Sequence, residues 1–271
     1  MTSLIAWVSI DQRAPSAFYL ASDSRISWGS ERARWDAGRK LFICRQYADV
    51  FGYCGDVVFP SLVLGQIADA ADAGLLFHNK DDADRRHAKF STAVKASFGR
   101  AHNTTIADFQ ILHGSRQSFG RNAQFKLWCL SFAAKTGAWT DSAIAIPQRK
   151  STLLAELGSG AKSVRSHGKS WGESSQGGTS RAIFSAFCDS IRSGADPFSG
   201  GVPQVVGMYH TRMPQAFGIV HNDQRYLHGF PLPQEVDPDV IEWRDELFQR
   251  IDGKTLKVLS GAQRHTRPSL K

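Results

Sequence analysis

The chain of 271 residues lacks the features that mark several whole classes of protein. No apolar run reaches the roughly 18–20 residues that span a bilayer. Met1–Trp7 has no basic segment, and Asp11 and Arg13 end the apolar stretch too early for a secretion signal, which leads us to expect a cytoplasmic protein. Cysteine is sparse: Cys44, Cys54, Cys129 and Cys188 form no CxxC pair and stand among apolar neighbours, which predicts buried free thiols rather than a disulfide framework. The nine histidines include no HExxH and no paired metal-ligand spacing. Internal repeats and linker-like segments are missing as well.

What is present is ordinary for a globular chain: 42% hydrophobic and 21% charged residues, with 24 Gly and 10 Pro. Lys and Arg number 33 against 25 Asp and Glu, a net charge of +8, but the excess is spread out, with modest concentrations at 32–45, 116–126 and 254–271. That reads as a basic solvated surface, and nucleic acid is not an expected partner.

Apolar patterning predicts strands at 4–10, 17–21, 41–44 and 50–54, then helices at 62–75 and 84–101, the second favoured at its start by the acidic run 81–84. Strands follow at 108–113, 125–134, 138–145 and 152–157. A polar region, 162–178, leads to a helix capped by Thr179, then strands at 204–210, 215–220 and 225–228 and a helix at 237–250. Strands in blocks, with one or two helices between the later ones, indicate antiparallel sheets covered by helices, an α+β arrangement. We read 1–253 as one domain and 254–271 as a basic, poorly ordered tail.

Six places could carry chemistry. Thr2 becomes a free N-terminal threonine if Met1 is removed; its α-amine, titrating near roughly 7.7–8.0, can then serve as base for its own hydroxyl. Ala21-Ser22-Asp23-Ser24-Arg25 sets a carboxylate at the end of the second strand, and Lys40 enters the third, where fixed positive charge would favour a nucleophile's ionised form. Gly55 closes the fourth strand and could offer an exposed N–H to an oxyanion. Gly158-Ser159-Gly160 and Asp196-Pro197-Phe198-Ser199-Gly200-Gly201 each look like ordinary turns when taken alone.

Together these six occur in the order found in proteasome β-subunits, with Asp196 37 positions after Ser159, and the chain from Thr2 to about Gly229 resembles the proteasome-family N-terminal-nucleophile hydrolases, related to the bacterial HslV and Anbu types. The resemblance implies a four-layer αββα sandwich of two antiparallel sheets. It implies Thr2 as nucleophile, Asp23 and Lys40 as the charged pair activating it, the Gly55 N–H as oxyanion donor, and Ser159, Asp196 and Ser199 as partners of the terminal amine. Ile26, Ser27, Tyr53 and Val57 should line the substrate cleft, with Ser27 on the substrate backbone and Tyr53 limiting the first specificity pocket. A threonine peptidase acting on peptides or unfolded proteins is implied, in a homo-oligomeric ring or spiral, with an ATP-dependent unfoldase as a candidate partner. No cofactor is required, although a structural cation on backbone carbonyls near Asp196 and Ser199 fits the resemblance.

The chain departs from that pattern in a long first hairpin, with 21 residues from Thr2 to Asp23, in a long stretch between Gly55 and Ser159, and in its C-terminal extension. Two readings compete within the fold: an amidohydrolase acting on small amides, and a non-catalytic shell subunit, against which the full set of Thr, Asp, Lys, Gly and Ser argues. A phosphate loop at Gly158–Ser163 fails on its lysine spacing.

Overall fold

Leu4–Ile10 (β1) is apolar on both faces, and both are used. Leu4 and Ala6 point into a core between two sheets, while Ile5 and Trp7 point into a second core under helices. A strand covered twice needs no polar alternation, which explains its unbroken apolar run. The computed structural model describes residues 2–11, 14–102, 104–264 and 266–267.

β1 pairs with Pro15–Ser22 (β2) as a hairpin, and Ile26–Ser27 (β3) and Arg34–Trp35 (β4) form a short ribbon. Leu41–Ile43 (β5) and Asp49–Gly55 (β6) lead to two helices, Val58–Asp72 (α1) and Ala83–Phe98 (α2). Phe109–Gln117 (β7), Gln124–Ala133 (β8) and Ala138–Ile144 (β9) complete a five-stranded antiparallel sheet in the order β5-β6-β7-β8-β9. Thr152–Leu157 (β10) returns to the first sheet beside β1, and Ala161–Gly172 (α3) and Ser180–Arg192 (α4) follow. Gln204–Tyr209 (β11), Gln215–His221 (β12), Gln224–Leu227 (β13) and Phe230–Pro231 (β14) extend that sheet in the order β10-β1-β2-β11-β12-β13-β14. Trp243–Arg244 (β15) and Arg250–Ile251 (β16) add to its side, giving nine strands.

Three apolar cores separate four layers. Phe51, Tyr53, Leu64, Ile67 and Phe90 fill the space between α1, α2 and the five-stranded sheet. Leu20, Val50, Leu112 and Val206 lie between the sheets, and Trp7, Phe184, Phe187 and Phe217 lie between the larger sheet and α3 and α4. This is the expected αββα sandwich. All four cysteines are free and buried. No helix among the described residues is long and apolar enough to cross a membrane.

Local signals explain the helix starts. Asp82 caps α2 by accepting from the Arg85 N–H at 2.8 Å, and Thr179 caps α4 by accepting from Ala182 at 3.2 Å. α2 is docked on its sheet by a buried polar chain. Arg86 Nε donates to Asp49 Oδ2 at 2.7 Å, His113 Nε2 meets Asp49 Oδ1 at 2.9 Å, His87 and His113 meet through their Nδ1 atoms at 2.9 Å, and His87 Nε2 meets Asp141 Oδ1 at 2.9 Å.

Two segments differ from expectation. The polar region 162–178 holds most of α3, which buries only Val164 and Trp171, two turns apart, and ties to α4 through Trp171 Nε1 donating to Asp189 at 2.8 Å. The helix expected at 237–250 does not form. Val240, Trp243 and Leu247 have helical spacing, but the chain makes a 3-10 turn at Pro238–Val240 and then runs as β15 parallel to β12. The reason is tertiary: the missing side chain of Gly218 leaves room for the Trp243 ring, which a Cβ there would meet at 2.3 Å. Beyond 254 the chain folds back, with Val258 bridging Ile251 and Arg267 pairing with Asp189 and Glu246.

Candidate active site

The start of β1, the end of β2 and the entrance to β5 converge at one end of the inter-sheet core. Asp23 N–H donates to the Ser3 carbonyl at 3.2 Å, and Ser3 N–H donates back to Asp23 Oδ1 at 3.0 Å, so the two strand ends are tied together. From the neighbouring sheet Lys40 inserts its ammonium, donating to Thr2 Oγ1 at 2.8 Å and to Asp23 Oδ1 at 2.8 Å. Lys40 and Asp23 are 0% exposed and Thr2 1%. Asp23 Oδ2 accepts from the N–H groups of Arg25 at 3.1 Å and Gly200 at 2.9 Å, so this buried carboxylate is fully partnered. Burial pushes the Lys40 ammonium below its ordinary value, and Asp23 works against that shift.

The two turns close the other side. Thr2 N–H donates to Ser159 Oγ at 3.2 Å, and Ser159 Oγ donates to Asp196 Oδ2 at 2.7 Å. Ser199 Oγ donates to the same oxygen at 2.6 Å and receives Ser3 Oγ at 3.0 Å. Residues from five chain segments, Thr2, Asp23, Lys40, Ser159, and Asp196 with Ser199, therefore form one hydrogen-bonded cluster. Met1, whose removal the sequence reading requires, lies outside the described residues.

Gly55 ends β6 at φ +96°, where a Cβ would stand 2.2 Å from the Asp108 carbonyl, so a larger residue could not hold this turn. Of the expected cleft residues, Ser27 lies on β3 with a buried hydroxyl that has no partner among the described residues, and Val57 is half-buried just before α1. Ile26 is buried against Gly38. Tyr53 is fully enclosed in the core under α1, its hydroxyl donating to the Arg39 carbonyl at 3.3 Å.

Gln204 and Asp36, which lie outside the motifs, and Arg25, the last residue of one of them, complete the arrangement. Gln204, fully buried at the entrance to β11, accepts from Lys40 N–H at 3.0 Å and donates to the carbonyls of Asp23 at 3.1 Å and Gly38 at 2.8 Å. Its signal was a glutamine opening an apolar strand shortly after the Gly200-Gly201 turn, beyond Val202-Pro203. Arg25 pairs with Asp36, not Asp23, through two bonds of 2.7 and 2.8 Å, which hold the Asp36 carboxyl below its usual range. Its third nitrogen donates to the carbonyls of Pro197 at 3.0 Å and Ser199 at 3.4 Å. Those carbonyls belong to the loop on which the resemblance would set a cation. They face the Arg25 guanidinium.

No protein-family profile matches the chain, and no curated protein matches its sequence. Solved structures do match in fold. Anbu (ancestral beta-subunit) from Yersinia bercovieri superposes with a TM-score of 0.52 at 13% identity, covering 79% of this chain and 86% of that one. A Gly-1 mutant of Anbu from Hyphomicrobium sp. strain MC1 gives a TM-score of 0.52 at 12% identity, covering 84% and 87%. At this identity the likeness is one of fold, and it agrees with the layers and sheet order described above: the chain has an α+β, four-layer αββα sandwich fold like that of the Anbu structures.

Proposed function

We propose that the protein is a threonine peptidase whose nucleophile is Thr2, freed at its α-amine by removal of Met1. The observation that carries this reading is the buried Lys40 ammonium, 2.8 Å from Thr2 Oγ1 and 2.8 Å from Asp23 Oδ1. A buried cation beside a hydroxyl stabilises negative charge developing on that oxygen, and the low-dielectric surroundings strengthen the effect.

The freed α-amine takes the Thr2 hydroxyl proton as Oγ1 attacks a peptide carbonyl. The Gly55 N–H receives the oxyanion. Collapse breaks the peptide C–N bond, the leaving amine takes the proton from the Thr2 ammonium, and an acyl ester remains on Oγ1. Water, deprotonated by the same amine, then cleaves the ester and regenerates the hydroxyl. Ser159, held by Asp196, orients the Thr2 nitrogen throughout. We further propose that the enzyme acts on peptides or unfolded chains within an oligomer of like subunits.

Intact mass after incubation with a peptide epoxyketone tests the reading, because that warhead requires a hydroxyl and an adjacent free amine. A species lacking Met1 and carrying one inhibitor is expected, and Thr2→Ala should abolish both labelling and peptide cleavage. Protein that lacks Met1 yet remains unlabelled, or unchanged turnover in Thr2→Ala, would overturn it.

A further inference from the structure

A cavity of about 430 Å³ opens beside the cluster, bounded by Gly55 on one side and by Gly158 and Ser159 on the other. Its floor comes from one register row of the five-stranded sheet. Cys54 stands opposite Gln110, Gln110 opposite Ser131, and Ser131 opposite Thr140. Phe109 and Phe132 of the adjoining row also border the cavity, with Ala133 and Ala138, while their rings pack with Trp139 in the core under the helices. The cavity therefore sits at the open end of the inter-sheet layer, and its mostly apolar lining carries the uncharged polar side chains of Gln110, Ser131 and Thr140.

The chemistry of acyl transfer assigns the cavity a side. The leaving amine must collect its proton from the Thr2 α-amine, so the departing half of the substrate lies next to that nitrogen. Thr2 N is bonded to Ser159 Oγ, and Ser159 lines the cavity. We infer that this cavity, with Gln110 as its reader, is the subsite for the residue immediately after the scissile bond, and that it selects an uncharged hydrogen-bonding side chain such as Ser, Thr, Asn or Gln. The inference rests on the peptidase reading above.

Three observations support that selection. The Gln110 amide is held only by long contacts, 3.4 Å to Ser131 Oγ, 3.8 Å from Cys54 Sγ and 4.0 Å to Cys129 Sγ, and so retains capacity for both a strong donor and a strong acceptor bond. The floor row offers no charge, because burial pushes the Cys54 thiol up to about 12, and an anionic residue placed on it would lose hydration without a counter-ion. The carboxylate at the rim, Asp108, already accepts from the Ala134 N–H at 2.8 Å.

The test digests a peptide library, randomised after the scissile bond, with the full-length protein, and measures epoxyketone labelling in parallel. The epoxyketone occupies the acyl side only, so labelling reports the nucleophile and the ratio of cleavage to labelling reports the leaving-group side. Enrichment of Ser, Thr, Asn and Gln after the cleaved bond is expected. Gln110→Leu should shift the preference to apolar residues and lower the cleavage-to-labelling ratio for Asn and Ser peptides about tenfold. Thr140→Trp, which fills the cavity, should lower that ratio for every residue larger than Gly or Ala. A labelled enzyme whose preference is the same in wild type and both variants would overturn the subsite alone. A wild type that neither labels nor cleaves would overturn the peptidase reading and the subsite with it.

Discussion

Two buried chains of cations and carboxylates run through this molecule, one at each end of β6. Beyond its last residue, Gly55, lies the cluster of Thr2, Lys40 and Asp23; at its first residue, Asp49, begins the chain of Arg86, His113, His87 and Asp141. Both are enclosed over most of their length, the second reaching the surface at Asp141. They differ in what terminates them. The first ends on a hydroxyl whose neighbours border a cavity. The second ends on carboxylates that already hold protein donors, with Ser91 Oγ donating to Asp141 at 2.8 Å and the Trp128 ring stacked on His87 at 4.3 Å. Buried charge on its own is therefore no mark of an active site; the marks are a reactive atom within reach of that charge and space for a substrate beside it.

In the second chain His113 Nε2 faces one carboxylate, His87 Nε2 faces another, and the two Nδ1 atoms face each other. Burial, and then the neighbouring His113, hold His87 down to about 4.

The comparison predicts opposite outcomes for damage at the two ends. Lys40→Ala should lower epoxyketone labelling and peptide turnover by roughly a thousandfold with the fold retained, because Asp23 keeps its bonds to the N–H groups of Ser3, Arg25 and Gly200. A loss of less than about tenfold would remove Lys40 from the activation chemistry. Asp49→Asn should behave the other way round. It strips Arg86 and His113 of their shared anion and should cost about 3–5 kcal/mol in chemical denaturation, with labelling per folded molecule unchanged.

Acid should sharpen the contrast. His87 has a folded-state value near 4 and an unfolded value near the ordinary 6.5, so between those pH values the unfolded chain takes up a proton that the folded chain refuses. Stability contributed by this group is complete above about pH 6.5 and is lost as pH falls towards 4, by on the order of 2 kcal/mol. Denaturation midpoints measured across that range should show the loss in wild type and a shallower dependence in His87→Gln. The smallest effect is expected at the α2 cap. Asp82→Ala should cost about 1 kcal/mol, and an effect as large as that of Asp49→Asn would show that α2 is held by its terminus rather than by the buried chain.

Much of the fold was legible in the sequence because it is written in local pattern. β1, β2, β6 and β8 are apolar runs with turns between them, and Asp82 and Thr179 announce their helices through cap chemistry. The cluster around Thr2 was legible only as an ordered set of motifs, since Asp23, Lys40 and Ser159 are each unremarkable in their own segments. Gln204 escaped because its three bonds go to backbone atoms, so nothing about its partners could be read from side-chain types. The His87–His113 contact escaped because helix and strand residues 26 positions apart carry no shared local signal.

By itself, the sequence determined which segments extend, which coil and where several helices begin, since hydrophobic period and capping act over a few residues. Tertiary structure decided the remainder. It made a strand of Trp243–Arg244 because Gly218 leaves room for a ring, paired Arg25 with Asp36, and chose which face of the Gln110 row borders a cavity. The physical reason is the same in each case. Close packing and the need to partner buried polar groups are settled by atoms far apart in the chain, and they outweigh local preferences worth less than about 1 kcal/mol per residue.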